Sequence, residues 1–146
     1  MSGVMAVVIP FLTGVIGLLA GYFLNIRRER WNLKRDLYTR LLENLGEMVF
    51  VLGELFELTN SEDEEEEKEG PLRTRSEKAL GEIRRAHHVA VLMLRRDATE
   101  ALENLYKEMG RAGRAKTYED FLIEKRNAAG KAYDFILEAA RSDLRL

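Results

Sequence analysis

The sequence has no cysteine, only two prolines and, over its first 24 residues, no charged side chain. The lack of cysteine excludes a disulfide framework, cysteine zinc sites, iron–sulfur ligation by thiolates and a thiol nucleophile. Two prolines and 11 glycines in 146 residues are too few for a linker-rich or low-complexity chain. The length suits about one domain.

The uncharged start of the chain has the composition of a membrane span. Residues 4–24 read VMAVVIPFLTGVIGLLAGYFL. A helix of this length is about 31 Å long and matches the roughly 30 Å hydrocarbon core of a bilayer. The preceding residues include no basic side chain, and no small-x-small cleavage site follows, which argues against a cleaved signal peptide. The sequence therefore predicts a retained transmembrane helix over 4–24, with the lipid bilayer as its partner.

Basic residues flank only the C-terminal end of this segment. Because the basic side of a span stays in the cytoplasm, we expect a single-pass protein of the inner (plasma) membrane with its N-terminus outside and residues 25–146 in the cytoplasm. Aromatic and basic side chains anchor a helix at the membrane surface. The predicted membrane-interface anchors are Tyr22, Arg27, Arg28, Arg30 and Trp31.

Three glycines line one face of the predicted span. Gly14, Gly17 and Gly21 fall at positions i, i+3 and i+7, and the last two form a small-xxx-small pair. Lipid does not drive helices together by hydrophobicity, so close backbone packing must do it, and glycine permits that packing. The alternative is that glycine is simply common in membrane helices. We expect this face to be the oligomer interface in the membrane and the protein to be a homo-oligomer.

The remainder of the chain is predicted to be all-α, a cytoplasmic four-helix bundle into which the transmembrane helix continues. Apolar residues recur at alternating spacings of three and four, as on a core-facing helical stripe. The first stripe is Trp31, Tyr38, Leu41/Leu42, Leu45, Met48/Val49, Leu52 and Leu55/Phe56. The later ones are Leu80, Ile83, His87, Val91 and Leu94, then Ala101, Leu102, Leu105, Tyr106 and Met109, then Tyr118, Phe121/Leu122, Ala128, Ala132, Phe135/Ile136 and Ala139.

Local signals divide the bundle into helices. Residues 60–71 contain seven acidic side chains and one basic one and are predicted to be a solvated acidic loop. The second helix is expected to end at Arg96, and residues 97–100 (DATE) match a capping box that opens the third. Gly110 is its predicted C-cap, residues 111–116 form a basic turn, and Thr117 is the predicted N-cap of the last helix. We expect the last helix to run antiparallel to the third.

No constellation of catalytic or metal-binding residues emerges. His87 and His88 are the only histidines, and His87 lies on an apolar stripe, where core packing is the default. The Glu-x-x-His pattern of bundle di-iron sites is absent, since Arg84 and Arg85 hold the positions three before the histidines. No Gly-x-Ser-x-Gly turn or phosphate-binding loop occurs. The sequence predicts no catalytic residue, metal site or cofactor.

The basic turn is the one candidate for an anion contact. Arg111, Arg114 and Lys116 are close together in the sequence, although a solvated turn between helices explains them equally well. An anionic-ligand sensor or an enzyme that uses the basic turns and the pair His87/His88 is the alternative function. A HEPN-type ribonuclease motif needs four to six residues between its arginine and histidine. Only three separate Arg84 from His88, so neither RNA cleavage nor a nucleic-acid partner is predicted.

The segment RRERWNLKRDLYTRLL at 27–42, together with the ARSDL tail at 140–144, resembles small bacterial single-pass membrane proteins of unknown function. The chain is also similar to CRISPR-associated membrane accessory proteins that join one span to a HEPN-like bundle and assemble into pores. Self-association through the glycine face and the cytoplasmic helices, together with the absence of a catalytic constellation, favours a membrane-anchored, non-enzymatic bundle. Its expected role is that of an interaction or membrane-perturbing effector, with antiviral defence as one setting and a cytoplasmic protein as a further partner.

Overall fold

The computed structural model describes the backbone of residues 2–60 and 66–145 and the side chains of residues 14–60 and 67–145. Within these ranges the chain forms four α-helices and no strand, which confirms the predicted all-α bundle class. The helices are α1 (Ser2–Thr59), α2 (Glu66–Met93), α3 (Arg96–Ala112) and α4 (Tyr118–Leu144). The chain divides into two compact units, Met1–Leu33 and Lys34–Leu146.

Helix α1 contributes the longest apolar stripe to the core of the second unit. Tyr38, Leu41, Leu45, Met48 and Leu52 are all buried, at the predicted spacing. Burial of each leucine-sized side chain contributes about 1.5–3 kcal/mol. Trp31, which was predicted to begin this stripe, belongs to the first unit and is exposed. The bundle core therefore starts one turn or two later than the apolar periodicity indicates.

The predicted acidic loop 60–71 is too long at its C-terminal end, because α2 begins at Glu66 and contains Pro71. Glutamate and lysine are good helix formers, and acidic side chains are favourable at a helix N-terminus. Proline keeps a helical φ, and Pro71, the sixth residue of α2, removes one hydrogen bond of the ladder near the start of the helix. Residues 61–65 lie outside the described residues.

Helix α2 buries only part of the predicted stripe, since Ile83 is buried as predicted but Leu80, His87 and Val91 are not. Its buried residues are mainly small, namely Ala79, Ile83, Ala86 and Ala90. Leu80 and His87 lie at the margin of this face, and Val91 is 58% exposed. The sequence-based prediction placed the larger side chains of this helix in the core. Alanines on the core face leave room for the bulky side chains of the neighbouring helices, so the buried face is turned from the predicted one by less than the 100° step of one residue.

The caps of α3 also differ from the prediction. Arg95 occupies the N-cap position without a side-chain cap hydrogen bond, and α3 runs past Gly110 to Ala112. Glu100 forms an ion pair with Arg96 at 2.7 Å, so it does not reach back to close the predicted capping box. Asp97 instead accepts a hydrogen bond of 3.0 Å from the Ala98 amide.

Helix α4 starts as predicted. Thr117 is the N-cap, and its side chain accepts a hydrogen bond of 3.1 Å from the Asp120 amide. Two polar pairs fix its direction: Arg95 bonds Ser142 at 2.6 Å near one end, and Glu108 pairs with Lys131 at 3.5 Å near the other. Since the numbers rise along α3 as they fall along α4, the two helices are antiparallel, as predicted.

Candidate functional site

The N-terminal unit presents an apolar helical surface with no packing partner in the chain described. From residue 14 to residue 24 every side chain is exposed, Leu18 to 77%. In the described part of the chain, no helix combines the length and the apolarity needed to cross a membrane. The side chains of residues 4–13, nearly half of the predicted span, lie outside that part. The transmembrane helix stays a prediction.

The predicted glycine interface lies on this surface. A Cβ atom added at Gly14, Gly17 or Gly21 would meet no other atom within 4 Å. The backbone is thus bare along this face, as close helix packing requires. The oligomer interface itself remains a prediction.

The predicted interface anchors are also exposed. Tyr22 stacks edge-on against Phe23 with ring centroids 6.2 Å apart. Arg27, Arg28 and Arg30 are exposed, as is Trp31. Their anchoring role stays a prediction.

The candidate anion contact lies where α3 ends. Arg111 is in the last turn of α3, whereas Arg114 and Lys116 are in the connection to α4. All three side chains are exposed, and within the described part none of them forms an ion pair. The turn contains a hydrogen bond within its own backbone, in which the Arg114 amide donates to the Arg111 carbonyl at 2.9 Å.

The two histidines have different surroundings. His88 is exposed, whereas the His87 ring packs on the Tyr106 ring of α3 with centroids 5.4 Å apart. The Nε2 atom of His87 and the hydroxyl of Tyr106 are buried, and neither has a hydrogen-bond partner among the described residues. Burial lowers the pKa of His87, opposed by Glu103 and reinforced by His88. Within the described residues no three His, Cys, Asp or Glu side chains cluster as metal ligands.

A groove between α1 and α4, which the sequence reasoning missed, is a candidate ligand site. Its volume is about 480 Å³, within the range typical of small-molecule sites. Three of the lining residues are glycines, which have no side chain to fill the groove: Gly46 and Gly53 on α1 and Gly130 on α4. A Cβ added at Gly130 would meet nothing within 4 Å. The walls and rim are Val49, Phe50, Glu54, Glu57, Arg126, Tyr133 and Asp134.

A matched seven-residue spacing builds this groove. Gly46 and Gly53 are seven residues apart on α1, and Arg126 and Tyr133 are seven apart on α4. A Cβ at Gly46 would lie 3.7 Å from Tyr133 Cε2, and one at Gly53 would lie 3.3 Å from Arg126 Cζ. The long side chains of α4 therefore lie over the bare positions of α1. The spacing of the glycines inside a helical stretch was the sequence signal available.

The charged groups of the groove have no partners within the described protein. Arg126, Glu54, Glu57 and Asp134 form no ion pair there. Three carboxylates and one guanidinium leave the lining with a net charge of −2. The Phe50 ring already contacts one cation, since Arg75 Cζ lies 5.9 Å from its centroid. Convergent polar groups beside aromatic walls have the chemistry of a ligand site for a cation.

No protein-family model, curated protein or solved structure matches the chain.

Proposed function

We propose that the protein is a membrane-anchored, non-enzymatic helical bundle that self-associates and acts as an interaction or membrane-perturbing effector. The observation that carries the proposal is the continuous exposure of the side chains from residue 14 to residue 24, most of them apolar. An apolar surface of this kind is costly in water and favourable in lipid or against a second copy.

Charge supports the same proposal. The apolar segment is followed at once by Arg27, Arg28 and Arg30, and no basic residue precedes it. A basic stretch on one side orients a membrane segment and contacts anionic lipid headgroups. In this proposal the N-terminus is outside, the span is residues 4–24 and the bundle lies in the cytoplasm at the inner membrane.

The glycine face supplies the self-association in this proposal. Its three bare positions allow a second copy of the helix to approach at backbone distance, which compensates for the missing hydrophobic drive in lipid. Assembly would bring several bundles together at the membrane surface, where they form a platform for a cytoplasmic partner or perturb the bilayer, with antiviral defence as one setting.

Membrane fractionation of cells expressing the full chain tests the proposal. Leu18→Arg should shift protein from the membrane pellet to the soluble fraction, because an arginine near the centre of a span costs about 2.5–3.5 kcal/mol on insertion scales. The matched control is Leu92→Arg, which places the same charge at an equally exposed leucine of α2 and should leave the protein in the pellet. Wild-type protein found in the soluble fraction would refute the membrane anchor.

A further inference from the structure

The groove between α1 and α4 carries three features that point to a ligand. It has the volume of a small-molecule site, its charged groups have no ion-pair partner among the described residues, and its net charge is −2. From the unused carboxylates and the two aromatic rings, Phe50 and Tyr133, we propose that this groove binds a linear aliphatic polyamine. The proposal is independent of membrane anchoring, because every lining residue belongs to the second unit.

The carboxylates sit at the two ends of the groove. Tyr133 lies opposite Gly46, and Arg126 lies opposite Gly53, so α1 and α4 are antiparallel along it. In this register Asp134 and Tyr133 lie at one end, Phe50 lies about midway, and Glu54 and Glu57 lie at the other end. Nine residues of helical rise separate the level of Asp134 from that of Glu54, which is about 13 Å. A ligand that satisfies both ends is elongated and has a cation at each end.

The middle of the groove is apolar. Its floor is glycine backbone, and Val49 lies along it. Methylene groups fit this surface, whereas a branched or bulky body would need the space of a side chain on each helix. A Cβ at Gly130 would meet no atom within 4 Å, so the ligand chain has room to cross α4 at this residue.

The two ends differ in how they hold an ammonium group. At one end, Asp134 supplies the charge and the Tyr133 ring supplies cation–π attraction of the kind that the Phe50 ring, near the middle of the groove, already provides for Arg75. At the other end, Arg126 and the two glutamates together leave a net charge of −1 for the second ammonium.

Calorimetric titration of the full chain in neutral-detergent micelles with spermidine tests the proposal. We expect saturable binding of one spermidine per chain and no binding of 1,8-octanediol, which is similar in length and uncharged. The glycine amide signals of Gly46, Gly53 and Gly130 in nitrogen-15 NMR spectra should shift with the same dissociation constant. Absence of saturable binding would overturn the proposal.

Four variants separate the groove from diffuse attraction to acidic residues. Gly130→Leu should weaken spermidine binding at least tenfold by filling the cavity, with an unchanged circular dichroism spectrum. If that variant does not fold, Phe50→Ala, at an exposed position, takes its place and should weaken binding about threefold through the lost cation–π contact. Asp134→Asn should weaken binding about three- to fivefold, whereas Glu124→Gln, an exposed carboxylate of α4 outside the groove, should not change it.

Equal effects of Asp134→Asn and Glu124→Gln would show non-specific binding and overturn the assignment. So would unchanged spermidine binding in Gly130→Leu with an altered oligomer size, since the groove would then be a contact between copies.

Discussion

Asp143 on α4 accepts a hydrogen bond of 3.2 Å from the hydroxyl of Tyr38 on α1, and its other oxygen pairs with Lys34 at 2.8 Å. Tyr38 is buried, and burial together with the nearby Asp143 carboxylate raises the pKa of its hydroxyl. The phenol therefore stays a neutral donor at every physiological pH. These two contacts join the last turn of α4 to the first turns of α1 in the second unit.

Replacement of Asp143 is expected to destabilise the bundle. Asp143→Ala leaves the buried Tyr38 hydroxyl without an acceptor and Lys34 without its counter-ion, which should lower the free energy of unfolding by about 1–3 kcal/mol. Chemical denaturation followed by circular dichroism measures the change. Glu138→Ala removes an exposed carboxylate one turn earlier on α4 and should change stability by less than about 0.5 kcal/mol. Equal losses in the two variants would show that the contacts to Asp143 contribute nothing.

The buried imidazole of His87 predicts a pH dependence. Its pKa is lowered in the folded state, whereas an unfolded histidine titrates near about pH 6.5. The unfolded state therefore binds the proton more readily. The contribution of His87 to the free energy of unfolding is complete above that pH and is lost as the pH falls below it. Urea unfolding at pH 7.5 and 5.5 should show this loss.

Matched variants assign the pH effect to one ring. His87→Leu should abolish its share of the pH dependence and change stability at pH 7.5 by at most about 1–2 kcal/mol, in either direction, because Nε2 has no partner to lose. His88→Ala, at the exposed neighbour, should keep the pH dependence. Loss of a cellular phenotype in His87→Leu, with stability and oligomer size unchanged, would favour the sensor or enzyme alternative.

The glycine face predicts an effect on assembly. Gly17→Ile or Gly21→Ile should lower the oligomer order in neutral detergent, since a β-branched side chain separates backbones that must approach closely. Size-exclusion chromatography with light scattering measures it. Leu19→Ile, a change of shape within the same segment, should leave the oligomer intact. If the two glycine variants elute like the wild type, another surface mediates assembly.

Topology reporters test the orientation of the span. A reporter active only in the cytoplasm, fused after Leu146, should be active, and a periplasmic reporter at the same position should be silent. The reason is the run of basic residues after residue 24 and the absence of any before it. Moving the periplasmic reporter to the N-terminus supplies the reciprocal control. An active periplasmic fusion at Leu146 would reverse the predicted orientation.

The sequence by itself determined the helices, because their signals are local. Leu41, Leu45 and Leu52 recur at helical spacing, and the hydroxyl of Thr117 caps α4 within three residues of its own position. Such patterns depend only on neighbours along the chain. Where two local preferences competed, as at Glu100 between a capping box and an ion pair with Arg96, the sequence alone did not decide.

Only the tertiary structure decided which faces meet. Ala90 rather than Val91 is buried on α2, and Phe135 is 67% exposed while Ile136 is buried, because the shape of the neighbouring helices selects among adjacent apolar residues. The groove has the same origin. Gly46 is 84 positions before Gly130 in the sequence, and the two line one groove only because α1 and α4 pack against each other in antiparallel directions.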